Sequence, residues 1–266
     1  MRRTITGFSN PTVKFLRSLR EKKHRRREGK FLAEGLRLLT DARASGVVPE
    51  ILAMASGRPA HPLLDELEAA VSAANGDVIE MDEDILAKVT GKENPQAVAG
   101  VFAEFDTSLA RLDRSASPIW LVAQALRDPG NLGTMLRTGD AVGAGGLILI
   151  DDCADPFSVE AVRASMGAIF TQHLAIARWE EFLPWLRDGA GQLVAASLRE
   201  PTDYRAAHYE APCFLLVGNE SQGLPEAYEA ECDLRVTIPM RGRADSLNAA
   251  VAGAVLAYEA LAKLEA

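Results

Sequence analysis

The 266-residue sequence is short of the residues on which several common chemistries depend. Its three cysteines, Cys153, Cys213 and Cys232, are odd in number and widely spaced, so they form neither a disulfide framework nor paired metal ligands. A reducing compartment accounts for them. Four scattered histidines, His24, His61, His173 and His208, give no zinc constellation and no Cys-His nucleophile pair. No apolar run approaches the length of a membrane span, and the opening MRRTITGFSNPTVKF has no apolar block behind its arginines. This predicts a soluble, untargeted, cytoplasmic protein with no membrane contact. There is no internal repeat and no low-complexity tract. Gly143, Gly145 and Gly146 make a partial dinucleotide-like cluster, but not the G-x-G-x-x-G spacing that follows a strand.

What the chain does have is apolar bulk and unevenly placed charge. At 48% apolar it can build one large or two modest cores. The net charge of −8 speaks against a nucleic-acid partner only if it is averaged. Residues 1–30 hold eleven Lys/Arg against Glu21 and Glu28, a local +9 that leaves −17 for the rest. A basic arm on an acidic body suits a segment that tracks a phosphate backbone. A solvated helix face or a disordered tail fits the same composition.

From Pro11 the spacing of Val13, Leu16 and Leu19 predicts a basic helix running through Arg27 and ended by Gly29. Alternating strands and helices then follow to residue 105, an arrangement that predicts a small α/β sandwich. The polar stretch 107–118 reads as a linker, dividing a domain at 1–106 from one at 119–266. The second half begins with the continuous apolar run IWLVAQAL, suited to a strand buried on both faces. Further strands at GGLILI, HLAIA, QLVAAS, CFLLVG and LRVTIP alternate with helices and predict a parallel sheet covered on both sides. The final helix reads as almost pure core with a polar first turn, Ser246-Leu247-Asn248, whose free N–H groups favour an anionic or polar ligand.

Three polar islands follow apolar strands in this half: residues 128–139, 218–225 and 240–248. In parallel α/β sheets such loops gather at the carboxyl ends of strands, where ligands bind. Arg137 either lies on a solvated helix face or, beside Asn131 and Glu220, holds a phosphate or orients a hydroxyl. Glu220 is a helix-start carboxylate or an acceptor facing a ligand. Ser246 is predicted as a helix N-cap rather than a nucleophile, because no histidine is placed to activate it.

Taken in order, the islands resemble the motifs of the SpoU, or TrmH-type, family of RNA ribose 2′-O-methyltransferases in the SPOUT superfamily. The first motif's Asn and Arg are Asn131 and Arg137; the second is Gly218-Asn219-Glu220; the third runs through Ile238-Pro239-Met240 and Ser246-Leu247-Asn248. The SMGAIF segment at 165–170 is similar to the family's as well. The match covers residues 119–260, and residues 10–35 are similar to a ribosomal-protein-like substrate-binding domain that many members carry. Ala249 and Ala250 replace the family's common Val-Ser, and Gly139 stands where Ala is commoner.

The resemblance implies a parallel α/β sheet whose C-terminal segment closes a deep trefoil knot. It implies S-adenosylmethionine as methyl donor and no metal, with rRNA, or tRNA, methylated on a ribose 2′-OH. Leu198, Gly218, Asn219, Ile238, Met240, Leu247 and Asn248 are the implied cofactor contacts. Asn131, Arg137, Glu220, Ser246 and Asn248 are the implied catalytic group around the acceptor ribose. Arginine stays protonated in proteins, so Arg137 is expected to clamp a phosphate and orient a hydroxyl, with the general base unassigned. RNA contacts are expected from Lys14, Arg17, Arg20, Lys22, Lys23, Arg25, Arg26 and Arg27, and a homodimer is expected to pack through the final helix. A catalytically inactive RNA-binding protein of this fold and a nucleotide-cofactor oxidoreductase are the alternatives.

Overall fold

A computed structural model describes residues 2–91, 97–219 and 221–266, which fall into two compact units. The first comprises residues 1–105 and 155–171, the second 106–154 and 172–266. In the first, β1 (Arg2–Ile5) leads into two short helices, α1 (Pro11–Ser18) and α2 (Lys22–Glu28). Then come β2 (Lys30–Glu34), α3 (Leu36–Ala44), β3 (Ile51–Ala55), α4 (Pro62–Ala73), β4 (Asp77–Met81), α5 (Glu83–Thr90) and β5 (Val98–Ala103). The strands form one mixed sheet in the order β1-β4-β3-β5-β2. On one face Val13 and Leu16 of α1 and Ile85, Leu86 and Val89 of α5 pack against Leu32, Ala53, Ile79 and Ala99. Strand alternation sends Phe31 and Phe102 the other way, into an aromatic group with Phe105, Phe157 and Phe170.

The predicted single basic helix is two helices. Leu19 caps the first, and Gly29, in the left-handed region at φ 61°, ends the second. Arg25 departs furthest from expectation. Its side chain is 3% exposed, and its guanidinium donates to the carbonyls of Leu19 (2.9 Å) and Arg20 (2.8 Å) and to Asp155 Oδ2 at 2.5 Å. Arg25 therefore closes the turn between the helices and is not free to meet an RNA phosphate. Lys14, Arg17, Arg20, Lys22, Lys23, Arg26 and Arg27 are exposed. Arg25 also bears on why residues 155–171, assigned from sequence to the second domain, cluster with the first unit. Val159 is buried in the first unit's core, and Arg163 pairs with buried Glu34 at 2.5 Å. Nearby, the Glu104 carboxyl is pushed above its ordinary value, first by burial and then by the Asp155 charge.

The second unit is built on β6 (Ile119–Gln124), α6 (Pro129–Ala141) and β7 (Gly146–Ile150), after which α7 (Val159–Ala164) belongs to the first unit. It resumes with β8 (His173–Ala177), α8 (Trp179–Arg187), β9 (Gln192–Ala196), β10 (Thr202–Asp203), β11 (Cys213–Val217), α9 (Glu226–Ala230), β12 (Leu234–Thr237) and α10 (Ala249–Leu264). All seven strands are parallel, in the order β10-β12-β9-β11-β6-β7-β8. β6, β7 and β11 are buried at every position, which is why they read as unbroken apolar runs. Gly145 leaves no room for a Cβ, which would fall 2.3 Å from the Trp120 ring, so that glycine serves packing ahead of β7. It lies at the amino end of the strand, away from where a nucleotide would be cradled. No helix among the described residues is long and apolar enough to cross a membrane.

Candidate active site

A cavity of about 460 Å³ opens where β9, β11 and β12 end at their carboxyl termini. Chain order alone explains part of this: each buried parallel strand must emerge into a loop at the same edge of the sheet, and these three are neighbours. Val217, Leu224, Ile238 and Leu247 give it apolar walls, while Ser197, Thr237, Arg199 and Glu229 bring polar atoms. Leu198, also on the lining, is 78% exposed. Glu229 is buried and holds Arg199 at 3.0 Å, so charges of both signs sit on one wall.

Gly218 shapes the floor. A Cβ there would lie 2.6 Å from the carbonyl carbon of Gly223 and 2.7 Å from the Leu224 nitrogen, so any side chain would strike backbone. The closeness comes from the turn that follows. Asn219 takes the Ser221 and Gln222 N–H groups on its Oδ1 (2.9 and 3.1 Å), its carbonyl accepts from Gly223 N (2.9 Å), and its Nδ2 donates to the Ala125 carbonyl (2.9 Å). That last bond ties the loop after β11 to the turn after β6. Glu220 lies outside the described residues.

A second tie joins the other two islands. Asp128 caps α6, its Oδ1 accepting from Asn131 N at 2.7 Å, and the cap presents Asn131 one turn in. Asn248 Nδ2 donates to Asn131 Oδ1 at 2.8 Å. Asn248 Oδ1 meanwhile accepts from the N–H groups of Ala250 (3.0 Å) and Val251 (3.3 Å). The helix N-cap is thus Asn248 and not Ser246: α10 starts at Ala249, so Ser246 lies too early in the chain to hold the position next to its first turn. The same cap occupies N–H groups predicted to be free for an anion. Residues 241–248 form an exposed, irregular loop that brings Ser246 and Leu247 to the cavity, while Arg137 stands exposed on α6 with no ion pair among the described residues.

Six of the seven residues expected to touch a cofactor, Leu198, Gly218, Asn219, Ile238, Met240 and Leu247, line the cavity; Asn248 bonds to Asn131 instead. Ser246 lines it too, whereas Asn131 and Arg137 lie on α6 outside its wall. Sequence reasoning expected the loop 197–199 against the cofactor without singling out Arg199, and missed Glu229. Arg199 directly follows a singled-out residue, but Glu229 sits in a helix whose pattern reads as ordinary surface, and only its burial marks it. The final helix is core on one side alone, with Val251 and Tyr258 exposed. The three thiols are all shifted upward by burial, Cys153 to about 11 and Cys213 and Cys232 to about 12, which makes them poor nucleophiles. Among the described residues no group of three His, Cys, Asp or Glu side chains is placed to hold a metal.

Comparison with known proteins gives one consistent result. The profile of the SpoU rRNA Methylase family matches residues 118–258, and that of the MRM3-like substrate binding domain matches 10–100. A 23S rRNA guanosine 2′-O-methyltransferase of Bacillus subtilis is 32% identical over 96% of this chain and 97% of its own length. A 23S rRNA uridine 2′-O-methyltransferase of Streptomyces viridochromogenes is 31% identical over 97% of this chain and 92% of its own. The crystal structure of an AdoMet-bound rRNA methyltransferase from Sinorhizobium meliloti superposes with a TM-score of 0.92 at 38% identity, covering 99% of this chain and 98% of that one.

Proposed function

Because this chain belongs to the SpoU rRNA methylase family, we propose that the cavity beside β9, β11 and β12 is where it carries out S-adenosylmethionine-dependent methylation of an RNA ribose 2′-OH. The residues present fit that donor. The volume suits an adenosyl group, Gly218 lets the loop after β11 fold tightly onto Gly223 and Leu224 to form the floor, and the apolar walls match a base and a thioether. Leu198, Gly218, Asn219, Ile238, Met240 and Leu247 would enclose it, with Arg199 and Glu229 offering opposite charges to its amino-acid end. Bound there, S-adenosylmethionine supplies an electrophilic methyl group on a sulfonium.

The chain's own part is positioning. Asn248 and Asn131 hold each other at the edge of the cavity, and this contact is the observation that carries the reading. In this reading the paired amide is what the acceptor ribose meets. Arg137, exposed and unpaired among the described residues, clamps the neighbouring phosphate in this reading, and Ser246 adds a hydroxyl to the polar rim. The substrate is rRNA, as the names of the relatives support. We assign the C-terminal segment to a trefoil knot, the exposed stripe of Val251 and Tyr258 on α10 to a homodimer contact, and the enzyme to the cytoplasm. The test is transfer of labelled methyl to rRNA by wild type and by Arg137→Ala. Loss of turnover with unchanged affinity for S-adenosylmethionine is expected, and normal turnover on the true RNA would remove Arg137 from the site.

A further inference from the structure

Of the nine phenylalanines, eight are buried or half-buried, and Phe8 alone is exposed, at 45%. It stands on the turn between β1 and α1, fixed by the Asn10 N–H bond to the Gly7 carbonyl (3.2 Å) and by Asn10 Oδ1 accepting from Thr12 N (2.8 Å). Lys88 Nζ lies 4.8 Å from the centre of its ring. Three residues on, Gly91 caps α5, and the Arg20 guanidinium lies across it so closely that a Cβ would fall 2.2 Å from Cζ. The C-terminal turn of α5 thus carries Phe8 against Lys88 and Arg20 against Gly91. Arg20 in turn lines a cleft of about 490 Å³ with Lys14 and Arg17, which share one stripe of α1.

The C-terminal dipole of α5 accounts for two cations at that turn, but not for the exposed aromatic ring under Lys88. An exposed ring beside cations is the arrangement that binds unpaired nucleotides, the ring stacking a base and the cations meeting the phosphates. Glu21 and Glu160, on the same cleft, accept hydrogen bonds and suit a ribose 2′-hydroxyl, a donor DNA lacks. We propose that Phe8 and Lys88 form a stacking platform for a single-stranded segment of the RNA, whose backbone continues along Lys14, Arg17 and Arg20. This rests on the RNA-methylating reading and adds to it a preference for unpaired RNA, together with two residues that the charge pattern did not single out.

The test is a binding titration of the full chain with a labelled single-stranded oligoadenylate of about ten nucleotides, with the DNA oligomer of the same sequence, and with a blunt RNA duplex. Phe8→Leu keeps an apolar side chain and removes the π face. It should weaken the single-stranded RNA complex about tenfold, while duplex affinity, S-adenosylmethionine affinity and Tm stay unchanged. Phe8→Trp should restore binding and report it by fluorescence quenching. Lys88→Gln should lower the slope of affinity against salt. Wild-type affinity in Phe8→Leu, an equal loss on the duplex, or DNA bound as well as RNA overturns the proposal. None of these readouts is methyl transfer. A wild-type protein that bound oligoadenylate through Phe8 yet failed to methylate rRNA would sink the functional reading and leave the platform standing.

Discussion

Asn248→Ala should do two separable things. The side chain caps α10 through the Ala250 and Val251 N–H groups, and losing such a cap costs about 1 kcal/mol. It also donates to Asn131, a bond at an exposed position and therefore near the lower end of the range, about 0.5 to 1 kcal/mol. Together these come to about 2 kcal/mol, an increase of roughly thirtyfold in local opening. Amide hydrogen exchange reads this site by site: Ala250 and Val251 should exchange faster by about that factor, while the amides of the β6 and β11 core should not change. Asn248→Asp separates the two roles. A carboxylate still accepts both N–H groups and gains from the helix dipole, but it cannot donate to Asn131 Oδ1. Exchange at Ala250 and Val251 should therefore stay near wild type in Asn248→Asp, whereas methyl transfer should fall in both variants. Unchanged exchange in Asn248→Ala, or equally fast exchange in the two variants, would refute the reasoning.

Three further outcomes are expected. Arg25→Ala breaks a buried ion pair and strands Asp155, so thermal or urea unfolding of the first unit should show a loss of about 3 to 5 kcal/mol, with little change in the salt dependence of RNA binding; a large change in that dependence with stability intact would return Arg25 to the RNA contacts. Gly218→Ala drives a methyl into the Gly223–Leu224 backbone and should abolish S-adenosylmethionine binding measured by calorimetry, whereas retained affinity would remove this loop from the cofactor site. Raised thiol values make the folded chain hold protons that the unfolded chain releases above the ordinary value of 9.0, so stability should fall as pH rises past that point. Folded protein should also resist iodoacetamide at pH 9, and rapid alkylation there would contradict the burial.

Local pattern determined a great deal. The apolar runs at 119–123, 146–150 and 213–217 suited strands buried on both faces, and polar islands at the carboxyl ends of parallel strands gather at one edge of a sheet. Motif residues such as Gly218 and Asn219 were legible because the backbone there demands particular side chains. Long-range partners were not legible, because a residue's pattern records its own helix or strand and not what arrives from elsewhere. Arg25 looked like its basic neighbours until Asp155, 130 positions away, occupied its guanidinium. Glu229 looked like surface until Arg199 met it on the cavity wall. Ser246 fitted a helix cap by type, but α10 starts at Ala249 and takes Asn248 as its cap, and the same side chain also donates to Asn131 of α6. Sequence set the elements and the chemistry available at their ends; tertiary structure alone decided which polar groups are consumed by one another and which remain for RNA and the methyl donor, because burial and pairing exist only once distant segments are packed.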